Sequence, residues 1–183
     1  EAMQLPFFED FTESVAYTDA LKWQNNNVFV NSGFPVFPTN YNAATFDVLD
    51  KTGKVYSHAI SSPFIADSLI SKPINLKDLT AADSVYLSFY YQPQGNGDAP
   101  EESDSLVLMI GCQTDTSLVW NHIWSTEGMT LDSFLLANDG KYFKQVMIPI
   151  ADEKYFGNEI VILFYNYGSI PPSMYPNDRS NVD

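Results

Sequence analysis

The sequence predicts an all-β fold in which two antiparallel sheets pack as a β-sandwich or jelly roll, and three observations carry that prediction. Apolar and polar residues alternate in short runs, the period of half-buried strands. Turn-forming residues interrupt these runs roughly every 8 to 15 residues. Aromatic residues make up 15% of the chain, with 13 Phe and 11 Tyr, and together with Val, Ile and Thr they favour pleated surfaces over helices.

Taken in chain order, FTESVAYTDALKW offers a turn or two of helix. ATFDVLDKTGKVYSHAI reads as a hairpin turning at Asp50 to Gly53. SLISKPINL reads as a strand that Pro73 restricts to an edge or a bulge. In DSVYLSFYYQ, Val85, Leu87, Phe89 and Tyr91 share one side, and Ser84, Tyr86, Ser88 and Tyr90 the other. In SLVLMIGCQ, Leu106, Leu108, Ile110 and Cys112 form the core side. SLVWNHIWS, YFKQVMIPI and EIVILFYNY are three further strands. LDSFLLAND predicts a short helix capped by Asp132 or Ser133, and Asn138-Asp139-Gly140 a tight turn into the next strand. Pro171-Pro172 stops the last strand, and the tail beyond it is polar. Without repeats, linkers or low-complexity tracts, residues 1–183 read as a single β-sandwich domain, large enough for a substantial core, with a final strand expected beyond Asp183.

Charge and composition narrow the function. Nine Lys and Arg against 23 Asp and Glu give a net charge of -14, which repels nucleic acid and anionic lipid. Calcium, neutral glycans and other proteins stay open as partners. The single Cys112 rules out an intramolecular disulfide and a Cys-based zinc site, and its apolar setting reads as a buried strand residue. No apolar run reaches the roughly 18 residues of a membrane helix. The chain starts Glu1-Ala2-Met3-Gln4, as it would after loss of a leader or a trimmed start.

LPFFEDF, Trp23, DSLISKPINL, DSVYLSFYYQPQGNGDAPEESDSLVL and FKQVMIPI together resemble a jelly-roll module. It occurs in secreted and cell-surface proteins of Bacteroidetes, including those associated with gliding motility and type IX secretion. More distantly the layout is similar to MAM and concanavalin A-like sandwich domains. The resemblance implies an exported module of the extracellular space or cell envelope, and it supplies no known reaction. In related sandwiches an acidic residue of the first strand meets acidic residues of the last at a cation. By position Glu9 or Asp10 would be that ligand, with Asp183 or a later strand as partner.

The loop QPQGNGDAPEESDSL concentrates carboxylates. Asp98, Glu102 and Asp104 have the oxygen chemistry calcium needs, although the spacing is not that of an EF-hand. The competing reading is a solvated loop that discourages edge pairing. Glu102-Ser103-Asp104 resembles the start of the E-x-D-x-x-E or E-x-D-x-E strand of laminarinase-type endoglucanases, but Val107 and Leu106 occupy the respective places of the last Glu. His58 and His122 have no motif partner and read as structural. Trp120 and Trp124, four residues apart in a strand, would share a side on which sugar rings stack, extended by Tyr86, Tyr90 and Tyr175; core packing is the alternative. The reading that results is a non-catalytic recognition or adhesion module for a cell-surface protein or glycan. The alternatives are a carbohydrate-binding module, a degenerate hydrolase-like domain, or a structural part of an envelope assembly.

Overall fold

The computed structural model describes residues 2–113 and 117–171. The all-β expectation is met: strands dominate, and every pair of named strands is antiparallel. The strands are β1 (Phe29–Asn31), β2 (Ala43–Thr45), β3 (Phe64–Ile70), β4 (Ile74–Asn75), β5 (Tyr86–Tyr91), β6 (Ser105–Gln113), β7 (Leu118–Glu127), β8 (Lys144–Pro149) and β9 (Glu159–Gly168). One α-helix, α1 (Leu131–Ala137), lies between β7 and β8. A five-stranded sheet runs β3-β9-β6-β7 with β4 also on β9, while β5 pairs with β8 and β1 with β2.

The core gathers on one side of the large sheet. Ile160 and Ile162 of β9 and Leu108, Ile110 and Cys112 of β6 are buried there, and Leu87 and Phe89 of β5 and Ile148 of β8 pack against them. Phe89 meets Phe164 at 4.9 Å and Trp124 at 5.1 Å between ring centroids, both edge-on, the favoured aromatic geometry. Tyr91 meets Trp124 at 5.1 Å and Phe134 of α1 at 5.6 Å. The alternation read in β5 is therefore the alternation observed, with Tyr86, Ser88 and Tyr90 exposed.

Local details depart from the sequence reading for identifiable reasons. FTESVAYTDALKW makes turns instead of helix; its Val15 and Leu21 are exposed, so no apolar stripe is there to bury. The cap of α1 is Thr130, whose Oγ1 accepts the Ser133 N–H at 3.2 Å; Asp132 and Ser133 already lie within the first turn. The Asp50–Gly53 turn closes, with Asp50 N–H donating to Lys54 O at 2.7 Å, but pairing is limited to a bridge between Leu49 and Val55. Val48, at φ 64°, takes the chain out of extended conformation just before it.

A fourth departure matters most. The β6–β7 register shifts so that Leu108 faces Trp124 while Met109 faces His122, leaving Ile123 as the extra residue of a bulge. The bulge reverses which side the following residues face. Trp124 turns into the core, whereas Trp120 stays opposite Gly111 on the other side. The two tryptophans do not share a side, because the period-two rule fails across a bulge.

Trp124→Ala should cost about 3 kcal/mol in urea unfolding, the scale of a truncated core aromatic. Trp120→Ala should cost about 1 kcal/mol or less. Equal losses would contradict the bulge.

Candidate functional site

The outer side of the five-stranded sheet departs from what antiparallel sheets usually do. Such sheets commonly bury one side and give polar residues to water on the other. Here β9 places Val161, Leu163, Tyr165 and Tyr167 on the outer side, opposite Gly111, Met109, Val107 and Ser105 of β6. Trp120, His122 and Ser125 of β7 continue the same side beyond β6. Ile70, Ser68 and Ile65 of β3 flank it beyond β9. Cross-strand partners point to the same side, so these residues form one surface.

Val107 and Val161 are buried at its centre by their neighbours. Met109, Trp120, Leu163, Tyr165 and Tyr167 are half-buried, and Ile65 is 53% exposed. Charge reaches this side only towards its ends, with Glu127 opposite Ser105 and Glu159 opposite Asn75, and none stands among the central positions, on a chain with 23 carboxylates. Gly111 makes room for Trp120: a Cβ there would come within 2.9 Å of the six-membered ring of the indole. Tyr165 and Tyr167 sit edge to face at 5.6 Å, and burial followed by the neighbouring Tyr167 raises the pKa of the Tyr165 hydroxyl, which remains a neutral donor. The surface therefore offers aromatic rings with polar edges around an aliphatic centre.

Of the aromatic residues singled out in the sequence, Trp120 belongs to this surface and Trp124 to the core. Tyr86 and Tyr90 lie instead on the exposed side of the β5–β8 sheet, where Met147 is opposite Ser88. The structure does not bring the four together. Tyr175 and Asp183 lie outside the described residues.

The acidic residues are also separated. Glu9 is engaged at both oxygens. Oε1 accepts the Phe11 N–H at 2.8 Å and lies 3.5 Å from Lys22 Nζ, and Oε2 accepts the Trp23 indole N–H at 3.1 Å. Its visible task is to hold Trp23, which packs with Phe7, Phe11 and Leu69. Asp10 Oδ1 accepts the Thr12 N–H at 3.0 Å, and that bond lowers its pKa.

Asp98 is exposed, and Glu102 lines an open depression with Glu101, Ser103 and Glu127. Asp104 alone is buried: its Oδ2 accepts the Glu101 N–H at 3.1 Å, while Oδ1 has no hydrogen-bond partner among the described residues. Among those residues no three His, Cys, Asp or Glu side chains are grouped to hold a metal ion. A calcium ion would thus find one orphan oxygen and no preformed cage.

The least expected group is Asp67, fully buried in β3. Its Oδ1 accepts the Tyr56 hydroxyl at 2.7 Å and its Oδ2 the Val48 N–H at 2.8 Å; its own N–H donates to Asn166 Oδ1 at 2.8 Å. Burial raises its pKa to about 7 against the lowering effect of these bonds, and the charge of Asp47 adds to the rise. Burial, then Asp67 itself, keeps the Tyr56 hydroxyl protonated. The bond to Val48 holds a β-branched residue at positive φ, pressed against Gly168, where a Cβ would meet Val48 at 2.6 Å. An aspartate inside the apolar run FIADSLI was the sequence signal for this group. The near-continuous apolar run EIVILFYNY was the signal for the outer surface.

No protein-family model matches the chain, and neither a curated protein nor a solved structure matches it. Among the described residues no helix is long and apolar enough to cross a membrane.

Folded Asp67 keeps its proton up to about pH 7, whereas a free aspartate loses it near pH 3.8. Its stabilising contribution is therefore full below about pH 4 and is lost as pH rises through about 7. Asp67→Asn should flatten the fall in melting temperature across this window; an unchanged slope would contradict the assignment.

Proposed function

We propose that the protein is a non-catalytic recognition or adhesion module, exported to the cell surface or envelope, whose partner is a surface protein held on the outer side of the five-stranded sheet. The observation that carries this reading is the uncharged, half-exposed surface of Trp120, Met109, Leu163, Tyr165 and Tyr167. Tryptophan, tyrosine and methionine are enriched at the centres of protein interfaces and charge is depleted there, with polar residues at the rim. Ser68, Ser125 and Glu127 would be such a rim.

In this reading the β5–β8 sheet and the five-stranded sheet are the two layers of a sandwich of jelly-roll type, related to the Bacteroidetes surface modules that parts of the sequence resemble. The supporting contacts are those of Phe89 with Trp124 and Phe164. A second reading, a neutral glycan in place of a protein, draws on Trp120, whose ring rests against Gly111 and would stack on a sugar. Calcium enters the proposal only at Asp104, through its unpartnered Oδ1.

The labelled chain should be tested on arrays of extracellular proteins and of neutral glycans, with calcium and with chelator. Capture by a protein, lost in Trp120→Ala and Tyr165→Ala variants that remain folded with a native circular dichroism spectrum, is the expected result. Capture by a glycan through the same residues selects the second reading. Binding that survives chelator and Asp104→Asn removes calcium. A partner indifferent to both aromatic substitutions, or none on either array, would overturn the proposal.

A further inference from the structure

The β5–β8 sheet has two strands and two edges, and the edges are not equivalent. Val85 and Ile150 lie opposite each other in the register that pairs Tyr86 with Pro149, and the Ile150 N–H donates to Val85 O at 2.9 Å. Hydrogen-bonded and non-bonded pairs alternate in an antiparallel ladder. The bonded pairs are therefore Leu87–Ile148, Phe89–Val146 and Tyr91–Lys144. It follows that the backbone groups of Tyr86, Ser88 and Tyr90 point away from β8, and those of Gln145, Met147 and Pro149 away from β5.

Pro149 has no N–H to offer, which interrupts the outer edge of β8. The edge of β5 lacks the sequence devices that commonly protect an edge. Its sequence YLSFYY contains no Pro, no Gly and no charge, and Tyr86 and Tyr90 are 57% and 52% exposed. Among the described residues β5 pairs with no strand other than β8.

We propose that the open edge of β5 pairs antiparallel with β5 of a second copy of this chain, on a two-fold axis at Ser88. The outward-bonding residues read Tyr-x-Ser-x-Tyr, a palindrome about Ser88. A two-fold operation thus sets Ser88 opposite Ser88 and Tyr86 opposite Tyr90, each pair exchanging two backbone hydrogen bonds. Tyrosine then faces tyrosine across the seam at both ends, a favourable cross-strand pairing. The seam itself contains no charge, while the net -14 of each copy opposes association at longer range. Salt screens that repulsion, so the dimer tightens as ionic strength rises. This surface is distinct from the outer side of the five-stranded sheet, and its test does not depend on finding a partner there.

Sedimentation velocity over a concentration series, at about 0.05 M and about 0.5 M salt, tests the pairing. A monomer–dimer equilibrium that tightens several-fold at the higher salt is expected. Ser88→Pro removes an N–H that β8 does not use and should leave a monomer with an unchanged circular dichroism spectrum. Ser88→Lys sets two like charges face to face on the axis, and it carries the test if the proline variant fails to fold. A chain that stays monomeric at every concentration and salt overturns the proposal. So does a dimer unaffected by Ser88→Lys, or a monomer whose β5 pairs only with an added extended peptide of different sequence.

Discussion

β9 is hydrogen-bonded along both edges, to β3 and β4 on one and to β6 on the other, and it is apolar on both of its sides. Everything else in the protein is arranged around that constraint. A strand without a free edge has only two faces to dispose of. Ile160, Ile162 and Phe164 fill one, and the packing of β5, β8 and Trp124 against them makes the core. Val161, Leu163, Tyr165 and Tyr167 fill the other, where polar residues would be the ordinary choice. The apolar outer surface and the core are thus two consequences of one sequence run, EIVILFYNY. Its alternation carries two kinds of apolar residue, where a one-sided strand would alternate apolar with polar.

Much of the fold was legible before the structure. Turns and strands from Tyr86 onward fall where alternation puts them, and the buried side of β5 and of β6 was read residue by residue. The surface was legible only in part. Trp120 was singled out, but its companion Trp124 was assigned to the same side because the bulge at Ile123 has no signature in SLVWNHIWS. Tyr165 and Tyr167 were passed over because a near-continuous apolar run says that both faces are apolar without saying which is covered. The acidic residues show the opposite limit. Sequence proximity made Asp98, Glu102 and Asp104 look like a group, yet a turn of the loop exposes two and buries the third. Glu9 looked like a ligand in search of a cation. The chain answers it instead with Lys22, the Trp23 indole and the Phe11 backbone.

Asp67 links local strain to the large sheet. Its carboxyl group ties Val48 and Tyr56 to β3, and its backbone ties β3 to Asn166 of β9. A buried carboxyl is costly to desolvate even when both of its oxygens accept hydrogen bonds, and the cost is offset by fixing a segment that has a single bridge of its own. Val48 keeps its positive φ because Asp67 and Gly168 leave the backbone no better path. None of this involves the outer surface directly, but it fixes the end of β9 from which Tyr165 and Tyr167 project.

The central claim is that the outer side of the five-stranded sheet is open to a partner. Solvent paramagnetic relaxation of a methyl-labelled sample measures it most directly. The Met109 and Leu163 methyl groups should relax strongly with a soluble paramagnetic probe, while those of Leu108 and Ile162, on the same two strands but facing the core, should be protected. If Met109 and Leu163 prove as protected as Leu108 and Ile162, the surface is already covered and the account fails.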